Sequence, residues 1–302
     1  MINLRVGAIS RNYFNMPLWV AIHQKMFEDE GLNVTVELFE PIDAVWQRLQ
    51  DGRLDIALGV TEHIILDKEQ GGHLEIIGGN VNRLPFSLIA GKNIRSFEDM
   101  RGKTVGVSSI QAGSSSLVMK IFEAHGLHYP RDYNIVAVGP ILARWEKLQS
   151  GEIDAGLQGT PLNEIAKDLG YPSLCEPRDS FPWFQFTSLN VDGRWAKQHE
   201  QIVVSFMKAF IRAHHWFYQN KQGACQIAME ETGIAARYAD LAWDEYTQAE
   251  IFPRDGRANP ESIQTLIEIS ALLRALPERK ETRANAYINH TYLDQAQQEL
   301  GL

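Results

Sequence analysis

The chain has 302 residues, 44% hydrophobic and 22% charged, enough to bury one large core or two ordinary ones and too apolar for a disordered tail. A formal charge of -9 with no basic cluster argues against nucleic acid, which demands a cationic face for its phosphates, and disfavours an anionic membrane surface. No apolar run approaches the roughly 18 residues of a membrane span, so no transmembrane segment is expected. Two cysteines, Cys175 and Cys225, are too few for a disulfide framework or a Cys-rich zinc site.

Met1 to Asn3 lead without an export signal into Leu4 to Ile9, a short apolar run that reads as a strand and ends in the polar loop Ser10-Arg11-Asn12-Tyr13. A cytosolic chain would begin this way, and so would an exported one whose leader had been removed. Pro17 suits the first turn of a helix carrying Leu18, Ala21, Ile22 and Met26, with Gly31 placed to end it. Val34, Val36 and Leu38 alternate with polar residues, as in a strand with one buried face. Ile42, Val45, Trp46 and Leu49 mark a second helix that stops at Gly52 and hands over to the apolar run Leu54 to Val60. This β-α-β-α-β order predicts a parallel sheet with crossover helices.

The pattern then repeats. Residues 44–58 read AVWQRLQDGRLDIAL and residues 143–157 read ARWEKLQSGEIDAGL, seven identities in fifteen at a constant offset of 99. Val6-Gly7 aligns with Val105-Gly106 at the same offset. Near offset 95, Met26-Phe27-Glu28 and Gly31-Leu32 align with Ile121-Phe122-Glu123 and Gly126-Leu127. A period this long means two similar α/β lobes rather than a solenoid. Two extended segments, Pro85 to Ala90 and Phe186 to Val191, are the candidate connectors of a two-strand hinge. They divide the chain into a first lobe of 1–90 plus 188–302 and an inserted second lobe of 91–187. The remainder reads as extra C-terminal helices on the first lobe. One carries the stripe Ile202, Phe206, Phe210, Ala213 and Phe217; another starts at Asn259-Pro260-Glu261 and ends before Pro277.

Several segments carry a resemblance: Pro17-Leu18-Trp19-Val20-Ala21 after the first strand, Phe27 to Val34, Leu49 to Asp55, Ile94 to Gly106 with its Asp99-Met100-Arg101-Gly102-Lys103 core, and Gly151 to Ala155. Over roughly residues 4–220 the chain resembles the substrate-binding proteins of ABC importers for sulfonates, taurine, nitrate and thiamine precursors, the SsuA/TauA and NMT1/THI5-like family. The resemblance implies a periplasmic-binding-protein-like type II fold, a small-molecule ligand, an ABC permease as partner if the chain is exported, and no cofactor. These are scaffold motifs and they do not name a ligand.

Ligands of open parallel sheets sit outside the carboxyl ends of the strands, so facing lobes nominate their loops. On the first lobe these are Ser10, Arg11, Asn12 and Tyr13, then Thr61 and Glu62, then Asn82. On the second they are Ser109, Gly113, Ser114 and Ser115, then Gln158 and Thr160. Hydroxyls and free amides at a helix start around Gly113 to Ser116 would cradle an anion, although an ordinary Ser cap reads the same. Arg11 would pair with an anion, Tyr13 would stack on a ring, and Trp183 would close one wall beside the hinge. Glu62 would instead suit an amine or ring N-H donor, so the ligand is expected to be an anion such as a sulfonate or carboxylate, or a polar heterocycle.

Catalytic signatures fare less well. Gly102-Lys103-Thr104 ends like a phosphate loop but has Phe97 where the first glycine belongs, and Ser205-x-x-Lys208 lies inside a helical stripe. His214-His215 and His125/His128 lack acidic or sulfur partners at metal spacing. Relatives that are enzymes, a sulfinate desulfinase and a thiamine-pyrimidine synthase, use cysteine patterns that this sequence lacks. A cytosolic enzyme, with Glu62 and His63 as an acid-base pair, stays as the alternative to a non-enzymatic receptor.

Overall fold

The computed structural model describes residues 1–302 except 41, 111–113 and 271–282. The first sheet is entered through β1 (Ile2–Ile9), α1 (Met16–His23), the single turn α2 (Met26–Asp29), β2 (Leu32–Phe39), α3 (Ile42–Gln50), β3 (Ile56–Val60), α4 (Thr61–Glu69) and β4 (Leu74–Val81). The chain crosses at 82–85 into β5 (Phe86–Ala90), β6 (Thr104–Val107), α5 (Ser114–Ala124), β7 (Asn134–Ala137), α6 (Ile141–Ser150), β8 (Ala155–Gly159), α7 (Leu162–Asp168), β9 (Ser173–Cys175) and α8 (Pro177–Ser180). It returns through 181–186 to β10 (Thr187–Asp192) and continues as α9 (Gly193–Gln198), α10 (Glu200–Gln219), α11 (Lys221–Thr232), α12 (Ala236–Gln248), α13 (Pro260–Ser270) and α14 (Thr291–Leu300). The expected end of the helix begun at Pro260, before Pro277, lies outside the described residues.

The sheets have the same plan: β2-β1-β3-β10-β4 in one and β7-β6-β8-β5-β9 in the other. β1 runs parallel to β2 and β3, and β6 runs parallel to β7 and β8. The fourth strand of each is antiparallel, and here the two extended segments find their places. Phe86–Ala90, which the sequence reading places with the first lobe up to residue 90, pairs with β8 and β9 of the second sheet. All five of its residues are buried, so this apolar run is an interior strand rather than an exposed connector. Thr187–Asp192 correspondingly joins β3 and β4 of the first sheet.

The repeat identities have structural reasons. Asp55 accepts a hydrogen bond from the Arg5 amide at 2.7 Å and returns its own amide to the Arg5 carbonyl at 2.9 Å. Ninety-nine residues on, Asp154 does the same with Thr104, at 2.9 and 2.8 Å. Each aspartate thus fastens the start of one parallel strand, β3 or β8, to its neighbour, β1 or β6. Gly52 and Gly151 both take a positive φ, +66° and +77°, where the preceding helix ends. Leu49 and Leu148 are both buried against the sheet. The C-terminal helices cover the first lobe, with Phe206 stacked on Phe27 at 5.1 Å and Phe217 against Tyr13.

Candidate functional site

Where the parallel strands of the two sheets end, a cavity opens between the lobes, about 490 Å³ of non-atom space counting its mouth. The first lobe contributes Ile9, Asn12, Phe14, Asn15, Leu58, Val60 and Asn80 among others; the second contributes Ser108, Pro140, Ile141 and Arg144, and Phe186 of the return crossing completes the wall. Phe14, Phe86 and Phe186 meet edge to face at 4.9 to 5.7 Å and fix the wall nearest the hinge. The lining is mostly apolar with a few convergent polar groups, the usual character of a small-molecule site.

Arg144 dominates its electrostatics. The side chain projects from the first turn of α6, is only 2% exposed, and donates through Nη1 to Ser114 Oγ at 3.1 Å. Its Nε has no hydrogen-bond partner among the described residues, and no carboxylate pairs with it there. Burial pushes its pKa down to about 10, which still leaves it a cation at neutral pH. Among the described lining residues it is the sole charged group. Ser114 also accepts from the Ser108 amide at 2.9 Å, and the two hydroxyls lie 3.1 Å apart, so the hydroxyl that meets the guanidinium is itself held in place. Across the cavity, Asn80 gives its amide hydrogens to the Phe14 carbonyl at 3.0 Å and Thr187 Oγ1 at 3.1 Å, while its buried Oδ1 has no partner among the described residues. A desolvated guanidinium without a counter-charge costs several kcal/mol, which an arriving anion would offset.

The space for this arginine is legible in the repeat. Arg144 occupies the position of Val45, Gly156 that of Ala57, and Gln158 that of Gly59. A Cβ on Gly156 would lie 2.9 Å from Arg144 Cδ and 3.0 Å from Cγ, so the stem of the arginine lies across the bare backbone of β8. Gln158, on the same face of that strand, is fully buried with neither amide atom partnered among the described residues. One helix-on-strand contact is apolar in the first lobe and polar in the second.

The sequence-nominated residues divide accordingly. Asn12 lines the cavity, its Oδ1 accepting from the Phe14 amide at 3.0 Å and its Nδ2 donating to the Ile9 carbonyl. Ser114 reaches the site through Arg144, and Ser115 instead donates to the Ile110 carbonyl at 3.0 Å. Gly113 lies outside the described residues, and Ser109, next to the lining Ser108, does not itself line the cavity. Ser10, with φ +49°, turns its hydroxyl to Glu40 at 3.1 Å. Arg11 faces away from the cleft, paired with Glu231 of α11 and lying over Trp19 at 5.2 Å. Tyr13 is buried against Tyr246 with ring centroids 4.8 Å apart, and burial raises its phenol well above the ordinary range. Thr61 donates to Ser188 at 3.1 Å, and Glu62 is buried in the first turn of α4. His63 meets Asp43 at 3.0 Å and tilts against Trp46, and neither Glu62 nor His63 lines the cavity. Asn82 and Trp183 lie on the flank of the hinge, where Asn82 bonds the Arg257 carbonyl and Arg83 stacks on Trp183 at 4.0 Å. Thr160 turns to Glu245. Neither Cys175, whose thiol burial pushes up to about 12, nor Cys225 lines the cavity.

Two like-built sheets with a cavity at their facing strand ends define the class of two-lobed, periplasmic-binding-protein type II folds. Residues 12–224 match the model of the family described as NMT1/THI5 like, and the chain belongs to that family. Solved structures agree in fold. The alkanesulfonate-binding protein SsuA from Xanthomonas axonopodis pv. citri, bound to MOPS, is similar with TM-score 0.77 at 15% identity, covering 96% of this chain and 98% of its own. The periplasmic nitrate-binding protein NrtA from Synechocystis PCC 6803 matches with TM-score 0.82 at 14% identity, covering 99% and 89%. The desulfurization enzyme DSZB matches with TM-score 0.71 at 13% identity, covering 99% and 100%. Among the described residues no helix is long and apolar enough to cross a membrane.

Proposed function

We propose that this chain is a solute receptor for ABC-type import whose lobes close on a small organic monoanion. The observation that carries the reading is Arg144, a buried guanidinium in the cavity with an unpartnered Nε and no neutralising acid among the described residues. One cation favours one negative charge: a second would be buried without compensation. Ser108 and Ser114 flank the anion position, and the apolar wall of Ile9, Phe14, Ile42, Val60, Ile141 and Phe186 suits a short aliphatic body. A sulfonate or carboxylate fits this pattern. A neutral heterocycle such as a thiamine-precursor pyrimidine would leave the arginine uncompensated. A micromolar ligand needs about 8 kcal/mol, which a charge-assisted pair and the burial of a few methylenes supply. The alkanesulfonate- and nitrate-binding proteins of the same fold, both named for anions, support the reading. The likeness to a desulfurization enzyme raises catalysis as the alternative; both cysteines sit outside the cavity with raised pKa values, which speaks against thiolate chemistry there.

Isothermal titration of the purified protein with methanesulfonate, butanesulfonate, acetate, nitrate, sulfate and a neutral aminopyrimidine tests this. The expected result is one-to-one binding of a monoanion, no binding of sulfate at neutral pH, and recovery of the ligand unchanged. Tight binding of the pyrimidine with none of the anions, or turnover of a bound sulfonate, would overturn it.

A further inference from the structure

Outside the cavity, a second set of contacts joins the lobes. Helix α12 is anchored on the first lobe: Tyr246 stacks on Tyr13, Trp243 Nε1 donates to the Phe217 carbonyl at 2.8 Å, and Asp240 and Asp244 hold Lys221 of α11 at 2.8 and 2.7 Å. Its other side faces the second lobe with polar groups. Glu245 accepts from Thr160, just after β8, and pairs with Arg178 of α8. One turn and more towards the start of the helix, Arg237 and Tyr238 reach Asp168 at the end of α7, at 3.1 and 2.8 Å. The Glu245 and Arg178 side chains are 14% and 31% exposed, so the pair is sheltered from full solvent screening. None of these residues lines the cavity.

We infer that Glu245 is a positioning residue that latches the second lobe onto α12, favouring the closed arrangement through contacts in which the ligand takes no part. Its purpose rests on the receptor reading above, because a latch matters only where two lobes open and close. A binding-competent form populated in advance raises the apparent affinity by the fraction so populated, whatever the ligand. Tyr246, the next residue, packs on Tyr13 between the lining Asn12 and Phe14, so the helix that carries the latch also supports one wall of the cavity.

The test needs no ligand and therefore fails separately from the receptor reading. Spin labels are placed by Gln47→Cys and Glu146→Cys, the equivalent exposed positions of α3 and α6, in a Cys175→Ser, Cys225→Ser background. Distances are measured by electron double resonance on protein refolded free of small molecules. A short-distance population is expected, and Glu245→Ala lowers the ratio of short to long distances roughly fivefold, the upper end for a partly exposed pair. Arg178→Met removes the same pair from the other side and has the same effect. The charge swap of Glu245→Arg with Arg178→Glu restores the short distance, which a mere loss of helix packing would not allow. A wholly long-distance distribution in the parent chain, no change in either single variant, or no rescue by the swap would overturn the inference.

Discussion

The lobes present the same helix and strand to each other in two chemistries. In the first, Val45 of α3 packs over Ala57 and Gly59 of β3; in the second, Arg144 of α6 lies over Gly156, with Gln158 replacing the glycine. Burying Val45 contributes about 1.5 to 3 kcal/mol of stability. Burying Arg144 without a counter-ion costs several. The backbone plan tolerates both because the fasteners common to the lobes, Asp55 and Asp154 with the amides of Arg5 and Thr104, do not touch this face. A duplicated unit can therefore keep its architecture in both copies while one of them takes on recognition.

Giving the second lobe the residue of the first is the sharpest way to break the contrast. Arg144→Val is expected to weaken binding of methanesulfonate by about 2 to 5 kcal/mol, the usual loss when one partner of a buried charged pair is removed, as read by calorimetric titration. The same variant should unfold at a higher temperature in scanning calorimetry, because the uncompensated charge is gone. Lower stability together with unchanged affinity would show that the arginine is a structural group. Gly156→Ala asks a smaller question. Its methyl would push on the arginine stem, at a cost of about 1 to 3 kcal/mol in binding, in stability, or divided between them, whereas Ala57, already an alanine, shows that the first lobe accommodates the side chain. Smallest is the effect on what the lobes share. Asp55→Asn and Asp154→Asn should each cost about 1 to 2 kcal/mol in urea unfolding, and Asp55 the more, since it also takes the Arg5 guanidinium at 2.6 Å. A larger effect of Asp154→Asn would show that the Arg5 guanidinium adds less to its fastener than Lys103, at 3.6 Å, adds to the other.

Much of the fold is legible in the sequence. The identities at offset 99 fall on helix faces and ends, on the aspartate before a strand and on the buried leucine within it, positions that the packing of helix on sheet constrains. The place of residues 86–90 is not legible locally, because an extended apolar run reads identically as a connector and as an interior strand. Pairing with β8 distinguishes them, and pairing is non-local. The site was less legible. Which way a loop side chain turns depends on partners far along the chain: Glu231 for Arg11, Ser188 for Thr61, Glu245 for Thr160. Arg144 escaped because it sits in a helix rather than a loop. The signal for it lay in the repeat itself, where a buried valine in one copy faces a charged residue in the other.

The exchange of antiparallel strands also sets an order of assembly. The second sheet is made wholly from residues between 86 and 175, a continuous piece of chain, whereas the first lacks its fourth strand until residues 187–192 exist. During synthesis from the amino terminus, the first lobe must wait for the lobe inserted within it. Until then β3 and β4 have no neighbour on their facing edges, and unpaired edges of this kind are where mispairing with another chain begins.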